Sequence, residues 1–294
     1  MIQKAGRRYV SGCFLNKATN DCAKILIALN TNSVEVYNIP TPTKTKGEQL
    51  EATRLYSLDL PGHRTDVRTL CLSSDDQLLA SASNGKTWGL DSLYLAFTFN
   101  VPGSLKIWNM RTTACIRTMD CPYAICSLFL PGDRQVSASV DINSQWSPYG
   151  CGLQIAVGTK AGEVLLYDIA SSTLIETIKA HSSTVWSMHL RPDEQLLVTG
   201  SADKDVKFWE LERENAGSSY ALGNIKSLVH VRSLKMTDDV LSVRFSPNGK
   251  LLAVALLDST VKIFYQDTLK FFLSLYGHKV CFSALSRTRR LINL

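Results

Sequence analysis

The chain has 294 residues, a net charge of +6, 45% hydrophobic residues and 20% charged residues. This balance supports a sizeable buried core and excludes a disordered or collagen-like chain. No run approaches the roughly 18 apolar residues that a membrane helix needs. The opening MIQKAGRRYVSGCF carries neither a long apolar segment nor a small-residue cleavage pattern, so no signal peptide, no membrane association and an intracellular location are expected.

The basic excess is mild and its Lys and Arg are dispersed, so charge alone does not single out a nucleic-acid partner. Eight cysteines stand at 13, 22, 71, 115, 121, 126, 151 and 281, with no Cys-x-x-Cys pair. Cys71, Cys115, Cys126 and Cys281 fall in apolar strand-like runs. Small buried thiols are expected there, in preference to a disulfide scaffold or a metal site.

From the N-terminus, RYVSGCFL, KILIALN, VEVYNI and TRLYSLDL read as four strands, with the polar segment Pro40 to Ala52 as a loop before the last. Alternating apolar and polar residues, β-branched and aromatic enrichment and turn punctuation at this spacing describe antiparallel hairpins. A second unit starts at His63, with TDVRTLCLSSDDQLLASAS, then SLKIWN and ACIRTM. A third comprises YAICSLFLPGDRQV, IAVGTKAGEVLLYDI and TLIETIKAH. The fourth runs from HSSTVWSMHLRPDEQLLVTGSADKDVKFW through a polar loop (LERENAGSSYALGNIKS) to LVHVRSLKM. The fifth, Asp238 to His278, is uninterrupted.

The units therefore cover about 7–62, 63–119, 120–180, 181–236 and 237–278. Segments 85–103 and 137–153 interrupt the second and third. His63 and His181 lie 118 residues apart; without those interruptions 82 residues remain, 41 for each of two units. That is the period of about 40–45 residues expected of a WD-type blade. Both segments read as insertions, in the manner of retained intron sequence in a gene model, and 279–294 reads as a divergent tail that begins like another first strand.

His181, Thr199, Asp203 and Trp209 recur at the spacing of the hydrogen-bonded set of WD-repeat blades, and the chain resembles that family. The resemblance implies an all-β fold, an incomplete WD-repeat β-propeller of about five four-stranded blades. Asp203 would accept from His181, and Thr199 would bridge to the Trp209 indole. The other blades keep partial sets: His63, Ser81 and Trp108 in the second, Asp258 and His278 in the fifth. Tyr167 and Val157 replace the Trp and Ser/Thr in the third, as Phe264 and Val254 do in the fifth.

The fifth blade narrows the resemblance. VKIFYQDTLKFFLSLYGHK, with GDRQV…IAVGTKAGEVLLYDIASSTLIETIKAH and SADKDVKFWE in the same order, resembles the WD repeat-containing protein 3 (Dip2/Utp12) family. That resemblance implies a non-catalytic scaffold of the UTP-B part of the small-subunit processome, acting in the nucleolus on ribosomal RNA precursors. It implies other UTP-B proteins as partners, with precursor ribosomal RNA and small nucleolar RNA as further contacts. The chain would match most of a second propeller.

Other classes fare worse on the residues. Asp75-Asp76 and Asp238-Asp239 are paired carboxylates, but they sit at turns or strand starts. PGDR and SPNG are glycine turns without a following helix, so they do not cradle phosphates. No catalytic residue, metal ligand, cofactor or small-molecule substrate is expected. Arg7, Arg8, Lys44, Lys46, Arg287, Arg289 and Arg290 are basic candidates for RNA phosphates, each first read as solvated charge. A substrate-recognition adaptor of a ubiquitin ligase, or another signalling scaffold, is the alternative binding module.

Overall fold

The computed structural model describes residues 9–15, 22–29, 33–40, 51–59, 63, 67–73, 76–83, 86–89, 98–101, 103–110, 112, 114–131, 154–213 and 225–276. The chain divides into two compact units, Met1–Ser127 and Leu128–Leu294. Five four-stranded antiparallel sheets and one two-stranded ribbon make up the described strands. The fold is all-β, of the β-propeller class, and each four-stranded sheet is one blade.

In the first unit, β1 (Tyr9–Phe14), β2 (Cys22–Leu29), β3 (Ser33–Pro40) and β4 (Thr53–Asp59) form the first blade in simple order. The second blade contains β5 (Val67–Leu72), β6 (Leu78–Ser83), β9 (Gly103–Asn109) and β10 (Cys115–Cys121), in the order β10-β9-β6-β5. Between β6 and β9 the chain makes a separate ribbon of β7 (Lys86–Gly89) and β8 (Thr98–Val101). Because β6 pairs directly with β9, from Leu78↔Asn109 to Ala82↔Leu105, the ribbon leaves the blade's hydrogen-bond ladder intact. Leu26, Val34 and Val36 of the first blade pack against Val67, Leu70, Leu79 and Trp108 of the second.

The division between the units falls within β11 (Ala124–Leu130), the first strand of the blade β11-β12-β13-β14. Its other strands are β12 (Gln154–Thr159), β13 (Glu163–Asp168) and β14 (Thr173–Lys179). The fourth blade is β15 (Val185–Leu190), β16 (Leu196–Ser201), β17 (Asp205–Arg213) and β18 (Ile225–Lys235). The fifth is β19 (Val240–Phe245), β20 (Leu251–Leu256), β21 (Val261–Tyr265) and β22 (Phe271–Leu275). The polar stretch 211–227 was expected to be loop throughout. Instead Leu211 pairs with Leu228, Glu212 with Ser227 and Arg213 with Ile225, so the hairpin extends at both of its ends. Local polarity misleads there because an outermost strand needs no apolar face toward solvent.

Burial explains the composition of each strand. All six residues of β6, β12 and β16 are buried, and these second strands are nearly continuous runs of apolar and small residues. β14, an outermost strand, is mostly exposed and carries Thr, Glu and Lys. Leu196, Val198, Val206 and Phe208 of the fourth blade close on Val243, Leu252, Val254, Leu256 and Phe264 of the fifth. Polar rungs join the innermost strands of the same two blades. The Val243 amide donates to Ser187 Oγ at 3.2 Å, the Phe245 amide to His189 Nδ1 at 3.0 Å, and Arg244 to the Met188 carbonyl at 3.2 Å.

The outer pairs share an irregularity that sets the shape of the blade. A β-bulge adds one residue to the outermost strand: Leu55, Ile116, Ile175, Val231 and Phe272 in blade order. The partner residue at the bulge is always a large aromatic: Tyr37, Trp108, Tyr167, Trp209 and Phe264. A bulge bends its strand and raises the local twist, which lets a short outer strand wrap a bulky ring.

Candidate functional site

The polar set of the fourth blade assembles from four places in one sheet. His181 precedes β15, Thr199 lies in β16, Asp203 in the turn that follows, and Trp209 in β17. His181 Nδ1 stands 2.9 and 3.1 Å from the Asp203 carboxylate oxygens, and its Nε2 is 2.8 Å from Thr199 Oγ1. The Trp209 indole donates to the same Thr199 oxygen at 2.9 Å. Asp203 also accepts the amides of Ser182, at 3.1 Å, and Asp205, at 3.0 Å.

Burial lowers the His181 pKa, and that effect outweighs the attraction of Asp203. For Asp203, burial pulls upward, but His181 and the amides of Asp205 and Ser182 hold the carboxyl below its ordinary value. A neutral imidazole beside an ionised carboxylate fixes one proton pattern. Nδ1–H donates to Asp203, Nε2 accepts from the Thr199 hydroxyl, and the Thr199 oxygen accepts from Trp209. Every donor aims at an acceptor, the condition under which a buried polar chain stabilises rather than costs.

The second blade builds a similar chain, with a serine among the described residues at the imidazole Nδ1. His63 Nε2 lies 2.7 Å from Ser81 Oγ, which accepts from the Trp108 indole at 2.8 Å. His63 Nδ1 meets Ser104 Oγ at 3.1 Å, so a serine on β9 stands where the fourth blade uses Asp203. Burial, with Lys106 adding to it, lowers the His63 pKa to about 4. Ser104 was not anticipated. It lies 41 positions from His63, beyond the inserted ribbon, and only the β6–β9 pairing brings it near.

Asp258 serves its own turn, accepting the Thr260 amide at 2.9 Å and the Thr260 hydroxyl at 2.6 Å. His278 lies outside the described residues, as do Arg7, Arg8, Lys44, Lys46, Arg287, Arg289 and Arg290. Of the insertions, 137–153 lies outside them, together with the tail 279–294.

Cys71 and Cys121 are buried thiols, whereas Cys115 is exposed, correcting its expected burial. It begins the outermost strand β10, where an apolar run is not evidence of an interior position. Burial, followed by the charges of Cys71 and Asp76, pushes the Cys13 thiol well above its ordinary value, which disfavours the reactive thiolate. Among the described residues no group of three or more His, Cys, Asp or Glu is placed to hold a metal ion. Among them, no helix is long and apolar enough to cross a membrane.

Another feature was invisible in the sequence. The Gln154 side chain donates to the Ile225 carbonyl at 2.9 Å and accepts the Ile225 amide at 2.7 Å. One amide thus imitates a strand partner between β12 and the start of β18, at a fully buried position.

These blades and their repeated polar chains define a WD-repeat β-propeller protein, and residues 53–88 match the WD domain, G-beta repeat, model. Residues 149–289 match the model of the WDR3 second beta-propeller domain. The chain is 44% identical over 262 residues to WD repeat-containing protein 3 of Homo sapiens, covering 87% of this chain and 23% of that protein. It is 40% identical over 261 residues to U3 small nucleolar RNA-associated protein 12 of Saccharomyces cerevisiae, covering 87% of this chain and 24% of that one. A Dictyostelium discoideum homolog of WD repeat-containing protein 3 is 38% identical over 258 residues, covering 87% and 23%. Over most of its length the chain is thus similar to WD repeat-containing protein 3 and its relatives. It spans about a quarter of the length of these curated relatives.

Proposed function

We propose that the chain is a non-catalytic scaffold of the small-subunit processome, working with other UTP-B proteins in the nucleolus on ribosomal RNA precursors. The observation that carries this reading is the 40–44% identity, across 87% of the chain, to relatives of which one is named for association with U3 small nucleolar RNA. The use of the polar sets supports it. His181, Asp203, His63 and Ser81 spend their hydrogen bonds on holding blades together. A propeller supplies rigid surfaces, and function comes from what those surfaces hold.

Residues 1–278 act as the propeller portion in this reading, with 85–103 and 137–153 inserted and 279–294 as a tail. Transcript reads that join the codons before residue 85 directly to those for Ser104 support the first insertion as retained sequence. Uniform coverage through it opposes that origin. The functional reading is tested by tagging the chain, locating it in cells and identifying what co-purifies. Nucleolar signal with processome proteins and precursor RNA is expected. Recovery of a cullin-type ligase complex overturns the reading in favour of an adaptor.

A further inference from the structure

The fourth and fifth blades repeat one sheet design, and their rows match by register. In the fourth, Val198 pairs with Phe208 and Phe208 with Arg232, while Leu196 pairs with Glu210. In the fifth, Ala253 pairs with Ile263 and Ile263 with Leu273, while Leu251 pairs with Tyr265. The fourth-blade rows form the face that packs on the fifth. Val198 and Phe208 are fully buried there, and Arg232 reaches across to the Gln266 and Asp267 carbonyls at 2.7 and 2.8 Å. In the fifth blade Leu252, Val254 and Phe264 pack back onto the fourth. Side chains alternate between the faces of a sheet, so the Ala253 and Leu251 rows look away from it.

That outward face is apolar where its counterpart is charged. Tyr265 stands in the place of Glu210, and Leu273 in the place of Arg232. Lys262, the one charged residue of β20, β21 and β22, pairs with Val254 on the other face and donates to Thr237 Oγ1 at 2.9 Å. Arg244, beside Ala253 on β19, sends its guanidinium to the Met188 carbonyl of the fourth blade. Ala253, Ile263 and Leu273 are half-buried, and Tyr265, Phe272 and Leu275 are 41%, 45% and 47% exposed. The Phe272 ring lies edge-on to Tyr265 at 5.1 Å, which makes the two one aromatic rim.

We propose that this face of the fifth blade binds the same face of a second copy of the chain, in a two-fold contact. A large aromatic side chain buries about 150–250 Å², so the open parts of these residues leave about 400 Å² of apolar surface on each copy. A contiguous patch of that size marks an association site. Apolar atoms make up about 56–65% of an interface, so two copies cover about 1,300 Å², within the range of about 1,200–2,000 Å² of specific complexes. The lack of charge favours self-pairing. Near a two-fold axis a residue meets its own copy, so a face bearing Arg232 and Glu210 repels itself, whereas Leu273 and Tyr265 do not.

The test is sedimentation equilibrium of the purified 294-residue chain between about 1 and 100 µM, where a small specific interface exchanges partners. The mass is expected to rise from 32.5 kDa toward twice that value. Leu273→Arg and Tyr265→Glu install the residue types that the fourth blade carries at the matching positions, so the fold tolerates them. Each is expected to weaken association at least about tenfold, because it sets an unpaired charge in an apolar contact. Their melting temperatures at low concentration are expected to match that of the parent chain. Leu174→Arg, at an exposed leucine on the outermost strand of the third blade, is expected to leave association unchanged. A parent chain that stays monomeric throughout overturns the proposal and leaves the face to a different protein. Association that survives both fifth-blade variants, or that Leu174→Arg abolishes equally, overturns it as well.

Discussion

Asp203 accepts one imidazole N–H and two backbone amides at the head of the fourth blade's polar chain. Removing it leaves buried donors unpaired, at about 1–3 kcal/mol each. Asp203→Ala is therefore expected to lower the melting temperature and the yield of protease-resistant protein, read by thermal denaturation and limited proteolysis. An unchanged melt rules out this role for the set. His63 tests the second blade through pH. Its pKa falls from an ordinary 6.5 to about 4 on folding, so the unfolded chain binds the proton more readily. The stability that depends on neutral His63 is complete above about pH 6.5 and is lost as pH falls toward 4. Denaturant melts across that window are expected to show a shallower pH slope in His63→Gln than in the parent chain. Thr199, Asp203 and Trp209 were legible because the turn keeps them within ten residues of one another. Ser104 and Gln154 were not, because each acquires its role only through a distant backbone partner.

Turns show the same economy at the scale of an element. Gly162, Lys204 and Ser259 occupy matching turns between the second and third strands of their blades, all with positive φ. The amide of each returns to the carbonyl three residues earlier, at 3.3 Å. Lys204 and Ser259 show that a side chain can adopt this conformation, so backbone strain alone does not explain the glycine. Space does: a Cβ on Gly162 would sit 2.3 Å from the His181 carbonyl oxygen. Gly162→Ala is expected to destabilise the protein by at least about 1 kcal/mol in a denaturant titration. A neutral result shows that the turn can shift away from His181. The strands themselves were readable from period-2 alternation and turn residues. Their bulges were not, because the extra residues Leu55, Ile116, Ile175, Val231 and Phe272 differ from ordinary strand residues only once the facing register is known. The exposed Cys115 has the same cause: an outer strand can carry an apolar run without burying it.

Across the whole molecule, equivalent sheet faces are buried to different degrees. Val198 and Phe208 of the fourth blade are 0% exposed against the fifth. Ala253 and Ile263 occupy the matching register in the fifth blade, and both are only half-buried. Phe208→Ser is therefore expected to cost several times more stability than Ile263→Ser, and equal melting losses contradict the difference in packing. Face packing locks the fourth and fifth blades together, and the proposed role is that the chain holds processome proteins directly. The most direct measurement is affinity purification of the tagged chain before and after ribonuclease digestion, with the recovered proteins quantified. The account predicts that other UTP-B proteins remain bound after the RNA is destroyed. Their complete loss on digestion, or their absence from both samples, contradicts it.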